Sequence, residues 1–125
     1  AIIQDIPSRK QIYFNCLATR AVFNYFTSLN VKAEFPNVLI VDALTINTDV
    51  LKCSKGYFRC LTTTENETVL DLPTDYDPSF IGYIVVEFHD KVDTVEILGY
   101  VPACTQRTKI AKSLISSLEE ISPIA

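Results

Sequence analysis

The apolar positions of this chain follow two regimes: a rhythm of three- and four-residue steps near the N-terminal end, and short dense apolar runs from residue 56 onward. From Arg9, the residues Ile12, Cys16, Leu17, Ala18, Ala21, Val22, Tyr25, Phe26 and Leu29 recur at helical steps. Asn15, Thr19, Arg20, Thr27 and Ser28 gather on the opposing side, so the spacing predicts one long amphipathic helix. Ser8 can cap its free amides, and Gln11 three residues later completes a capping box. Asn30, which tolerates the left-handed conformation, marks the stop.

Beyond it, Val31 to Phe35 reads as a short extended piece, since the residue before Pro36 is pushed away from helix. Residues 37–48 carry both patterns; a short helix after the proline, then a strand from about Ala43, is the expectation. Tyr57 to Thr64 is aromatic and β-branched and stops at Glu65-Asn66-Glu67, from which Thr68 to Leu72 returns, predicting a hairpin. Residues 73–78 form a loop with two prolines and two aspartates. Strands over 81–89 and 94–102 follow, and Thr105 to Leu118 restores helical spacing through Ile110, Ala111, Leu114, Ile115 and Leu118. The fold class expected is α+β in a single domain over 1–125. A long N-terminal amphipathic helix packs on an antiparallel sheet of about four or five strands joined as consecutive hairpins, with a short middle helix and a C-terminal helix.

The late strands do not alternate cleanly. Ile84-Val85-Val86 and Ile97-Leu98 put apolar groups on both faces, as a strand covered on each side would, or a sheet with one face in an interface. Tyr13, Phe14, Phe23, Tyr25 and Phe26 occupy nearly all sides of the first helix, more than one buried stripe requires. Tyr13, Phe14, Phe23, Tyr83, Val85 and Tyr100 are therefore the candidate interface residues.

Composition narrows the chemistry. With 125 residues, 48% apolar and 21% charged, the chain can bury one core and is not expected to be disordered. A net charge of −4, with no basic block longer than Arg9-Lys10, gives no footprint for nucleic acid. No apolar run reaches the roughly 20 residues of a membrane span, and residues 1–5 lack the pattern of a signal peptide, so a soluble cytoplasmic protein is expected. Three glycines cannot build a phosphate cradle; Gly82 and Gly99 are expected to face each other across the late hairpin.

His89, beside Asp90 and Asp93, is the one place where a proton-transfer residue meets carboxylates, at what reads as a solvent-facing turn. It has no second histidine with which to complete a ligand set. Cys16, Cys53, Cys60 and Cys104 are irregularly spaced without a CxxC pair and read as buried thiols. Cys60, next to Arg59, is the best candidate nucleophile, with His89 as its one available imidazole. Asp71, Asp75 and Asp77 lack the order and central glycine of a calcium loop. No catalytic, cofactor or metal set is expected.

Several segments together resemble a family. Gln11-Ile12-Tyr13-Phe14-Asn15-Cys16-Leu17-Ala18, Ala21-Val22-Phe23-Asn24-Tyr25-Phe26, Gly56-Tyr57-Phe58-Arg59-Cys60, Leu72-Pro73, Ile81-Gly82-Tyr83-Ile84-Val85-Val86 and Ile97-Leu98-Gly99-Tyr100-Val101-Pro102 occur here in sequence. In that order they are similar to the cyanobacterial domain of unknown function 1822, over about residues 10 to 102. The chain departs from the family pattern at Tyr76-Asp77-Pro78-Ser79-Phe80-Ile81, where members carry an acidic-aromatic segment with tryptophan. It also ends soon after Pro102, where many members continue, so no C-terminal function of longer members is carried over. The resemblance implies a non-catalytic accessory or regulatory adaptor of cyanobacteria and transfers no catalytic or cofactor residues.

The function expected is thus a protein-interaction module that binds a protein partner or itself. The alternatives are a small-molecule-binding or hydrolytic domain using His89 or Cys60, and a recruited subunit of a defence or mobile-element complex.

Overall fold

A computed structural model describes residues 9–35, 50–72, 80–89, 94–102, 109–117 and 119, with side chains in the first helix from Tyr13 onward. The helical rhythm becomes α1, Arg9–Ser28, and Asn30 stops it with a φ of 58°. The buried stripe is narrower than the apolar spacing suggests. Ala18, Val22 and Phe26 are fully buried, whereas Cys16, Leu17 and Leu29 face out. Thr19, expected on the polar side, is buried, because its hydroxyl donates to the Asn15 carbonyl oxygen (2.7 Å) and needs no water.

Among the described residues seven strands follow: β1 (Ala33–Glu34), β2 (Val50–Cys53), β3 (Gly56–Thr64), β4 (Val69–Asp71), β5 (Phe80–His89), β6 (Thr94–Pro102) and β7 (Lys109–Ala111), with a 3-10 turn at Lys112–Leu114. Five of them form one sheet in the order β1-β2-β3-β5-β6. β3 and β5 run parallel, so the sheet is mixed and not antiparallel throughout. The expected hairpin of Thr68–Leu72 onto Tyr57–Thr64 does not form. β4 leaves the sheet and pairs with β7 instead, freeing the flank of β3 for β5. The middle helix and strand expected over 37–48 and the capping residue Ser8 lie outside the described residues, while β2 is a strand that the pattern did not announce.

The expected C-terminal helix is replaced among the described residues by β7 and the 3-10 turn. Its apparent period misleads for a physical reason: Ile110 is buried and Ile115 half-buried, but Leu114, which a helix would align with them, is 64% exposed. Only one side of a short strand and the residue after a turn reach the core.

Two cores sit on opposite faces of the sheet. On the first, Ala18, Val22 and Phe26 of α1 pack on Leu51, Phe58, Cys60, Ile84 and Val86, with the Phe26 and Phe58 rings 5.9 Å apart. On the second, Leu70, Leu72 and Ile110 cover Tyr83, Val85 and Val101, joined by half-buried Leu61, Leu98 and Ile115. The second apolar face of the late strands is therefore closed by this chain's own small sheet.

A bulge between Val85 and Val86 aligns the hairpin: Val85 faces Gly99, Val86 faces Ile97, and Gly82 faces Pro102. The two glycines thus do not face each other. Gly99 has a φ of +149°, and a Cβ there would lie 2.0 Å from the Ser116 carbonyl oxygen. That approach lets Ser116 bridge Tyr100 through reciprocal backbone hydrogen bonds of 3.2 and 2.9 Å.

Candidate functional site

The register of the late hairpin decides what surrounds its far end. In pleated strands residues two apart share a face, so Glu87 and His89 point the same way from β5. The same register sets Glu87 directly opposite Glu96, and His89 opposite Thr94. Two carboxylates thus face one another across an antiparallel pair, an arrangement that repels unless a cation joins it.

His89 occupies the gap. Its Nε2 lies 2.9 Å from Glu87 Oε1 and 3.4 Å from Glu96 Oε2, and its Nδ1 lies 3.8 Å from Glu65 Oε1, from the turn after β3. The imidazole is only 24% exposed, so it is not the solvent-facing turn residue that the sequence suggests. Nε2 itself is buried, and its N–H direction meets neither nearby oxygen as a hydrogen bond. Asp90 and Asp93, its expected partners, lie outside the described residues.

Glu87 is also held from the other side. Lys112, at the start of the 3-10 turn, places Nζ 2.8 Å from Glu87 Oε2 and donates to the Thr64 carbonyl oxygen. The Lys112 hydrogen bond, helped by its charge and to a smaller extent by His89, holds the Glu87 carboxyl below its ordinary range despite a burial that pushes the other way. Glu65, Glu67, Glu87 and Lys112 line one hollow of about 480 Å³, with Thr68, Val69, Ala111 and Ser113.

A second hollow, about 520 Å³, opens on the helix side of the same hairpin end. Tyr13, Phe14, Leu17, Phe88, His89, Thr94 and Val95 line it. Phe14 meets Phe88 edge-on at 4.8 Å and forms the floor with it, while Tyr13 (61% exposed), Leu17 (39%) and Val95 (38%) stay open.

The residues singled out from the sequence divide accordingly. Tyr13 and Phe14 come together at this hollow. Phe23 stacks on Phe35 at 5.0 Å beneath Arg20, and half-buried Tyr100 packs at the edge of the first core. Tyr83 and Val85 are buried under β4 and β7, so no partner reaches them unless that small sheet is displaced. Cys60 is buried on the helix face opposite Ile84, five residues along β5 from His89, or roughly 16 Å at a strand's rise. The two do not meet. Cys53 is buried and its thiol is pushed up to about 11, which keeps it protonated at neutral pH, while Cys16 is exposed and not a core thiol. Glu65, Glu87, Glu96 and Lys112 escaped the sequence reading, although pairing 89 with 94 across the hairpin is enough to set Glu87 against Glu96.

Among the described residues no helix is long and apolar enough to cross a membrane. No curated protein and no solved structure matches the chain. A family model described as a protein of unknown function, DUF1822, matches residues 4–119, which take in α1, all seven strands and both hollows. The chain belongs to the DUF1822 family.

Proposed function

We propose that the domain is a non-catalytic adaptor that docks a partner protein at the hollow between the start of α1 and the end of the β5–β6 hairpin. The observation that carries this reading is the gathering of Tyr13, Leu17 and Val95, all exposed, around one concave site floored by Phe14 and Phe88. Large exposed apolar groups set together in a concave patch are the anatomy of an interface centre. A hollow of this size takes an apolar anchor and excludes water around it.

The rim gives the partner its charge. Glu96 and Glu65 are at least half exposed and lie against His89, which lines the hollow, so a segment pairing an apolar anchor with lysine or arginine fits it. A second copy of this chain fits less well, because a two-fold contact through the hollow would set like acids against one another. The separation of Cys60 from His89 supports a non-catalytic role.

Selection of binders from a displayed random-peptide library tests the reading. Enriched peptides should share an apolar residue beside a basic one and should lose binding to the Leu17→Asp protein. Failure to enrich any peptide, or enriched peptides indifferent to Leu17→Asp, would sink it.

A further inference from the structure

We infer that Glu87, His89 and Glu96 form a binding site for a divalent first-row transition ion, with Zn²⁺ as its natural probe. The site shares His89 with the lining of the docking hollow, but the inference does not rest on the docking reading, since its argument uses only the mutual geometry of the three side chains.

Geometry is the first argument. One ligand atom from each residue can be chosen so that all three lie within 4.8 Å of one another. Zinc bonds to nitrogen and oxygen of about 2.0 to 2.2 Å place neighbouring ligand atoms about 2.9 Å apart at a right angle and about 3.4 Å apart at the tetrahedral angle. The Nε2 to oxygen separations of 2.9 and 3.4 Å match this pair of values.

The imidazole supplies the second. Nε2 is buried and makes no hydrogen bond, although two carboxylate oxygens lie beside it. A nitrogen that offers its lone pair to an ion between those oxygens has no need of one. On the far side of the ring, Glu65 Oε1 lies 3.8 Å from Nδ1, beyond hydrogen-bond reach, and adds a third negative charge beside the site.

Charge completes the case. Glu87 and Glu96 repel across the strand pair, and with Glu65 they outnumber Lys112, the nearby ammonium. Lys112 engages Glu87 Oε2 and leaves Oε1, the atom beside the imidazole, available. One imidazole with two carboxylates suits Zn²⁺ better than Mg²⁺, which seeks oxygen ligands and keeps its waters. Three protein ligands leave a position for water or for a group from a partner, and the bound ion would clip β5 to β6.

The chain contains one histidine, so its imidazole signals in a nuclear magnetic resonance spectrum are assigned without ambiguity. The titration uses the full chain with Cys16 and Cys104 changed to serine, which removes the exposed thiol and the one thiol outside the described residues, and leaves the two buried ones. Zn²⁺ should shift the imidazole signals saturably at one equivalent, and calorimetry should show the same stoichiometry. Mg²⁺ at equal concentration should leave them unmoved. Glu96→Gln, at a side chain 60% exposed and safe for the fold, should weaken Zn²⁺ at least about tenfold, and His89→Gln should abolish the calorimetric signal. Glu67→Gln, an exposed acid outside the trio, should change neither. Unshifted imidazole signals in excess Zn²⁺, or affinity unchanged in Glu96→Gln, would overturn the site.

Discussion

The two faces of the main sheet are covered by different means. One face lies under a single 20-residue helix, whose stripe of Ala18, Val22 and Phe26 repeats over two turns. The other lies under two three-residue strands, each of which sends one central side chain, Leu70 or Ile110, into the core. A long element advertises its burial through repetition, whereas a three-residue strand repeats nothing. The second face is therefore cheap in residues and hard to read, yet it closes over Tyr83, Val85 and Val101 as completely as the helix closes over Ile84 and Val86.

If both covers are integral, both should be costly to damage. Phe58→Ala removes a fully buried ring from beneath α1 and should lower stability by about 3 to 5 kcal/mol in a denaturant titration. Ile110→Ala, on the other face, should cost about 2 to 4 kcal/mol in the same measurement. A loss near zero for Ile110→Ala, with a full loss for Phe58→Ala, would show that the small sheet rests on the second face without closing it.

Gly99 sharpens the contrast, because it joins β6 to the chain that follows the second cover. A side chain there would adopt an unfavourable φ and strike the Ser116 carbonyl, so Gly99→Ala should cost about 2 to 3 kcal/mol. The same substitution should increase hydrogen exchange at the Tyr100 and Ser116 amides, which bond each other's carbonyls.

What was legible in the sequence follows the same division. The bounds of α1, the left-handed Asn30, β3 and the two late strands all come from local signals: period, turn chemistry and β-branched runs. The parallel pairing of β3 with β5 and the pairing of β4 with β7 are contacts between distant segments, and no local pattern specifies them. The adjacency of Thr64 to Glu65-Asn66 looked like a hairpin turn because turn residues report a reversal, not which strand the returning chain will join. The candidate site was half legible. His89 stands out by residue type, but the partners described for it come from the turn after β3, the same strand and the strand opposite, and only the pairing register brings those together.

Lys112 ties the second cover to that site and gives the smallest of these effects. Its ammonium bridges the 3-10 turn after β7 to Glu87 of β5 and to the Thr64 carbonyl of β3. Lys112→Met keeps most of the stem's packing but leaves a largely buried carboxylate without its strongest partner, so stability near neutral pH should fall by about 1 to 2 kcal/mol. The effect must depend on pH in a fixed direction. Because the folded protein holds the Glu87 carboxyl below its ordinary value of 4.5, the ionised form stabilises the fold above that value, and the stabilisation is lost as pH falls through the lower folded value. Wild type and Lys112→Met should therefore converge in stability as the solution is acidified and separate again toward neutrality, as measured by denaturation at a series of pH values. A gap that stays constant down through the carboxylate range would mean that Lys112 contributes by packing alone. The second cover would then be bound to the sheet only through Leu70, Leu72 and Ile110, with no electrostatic tie to the hairpin end.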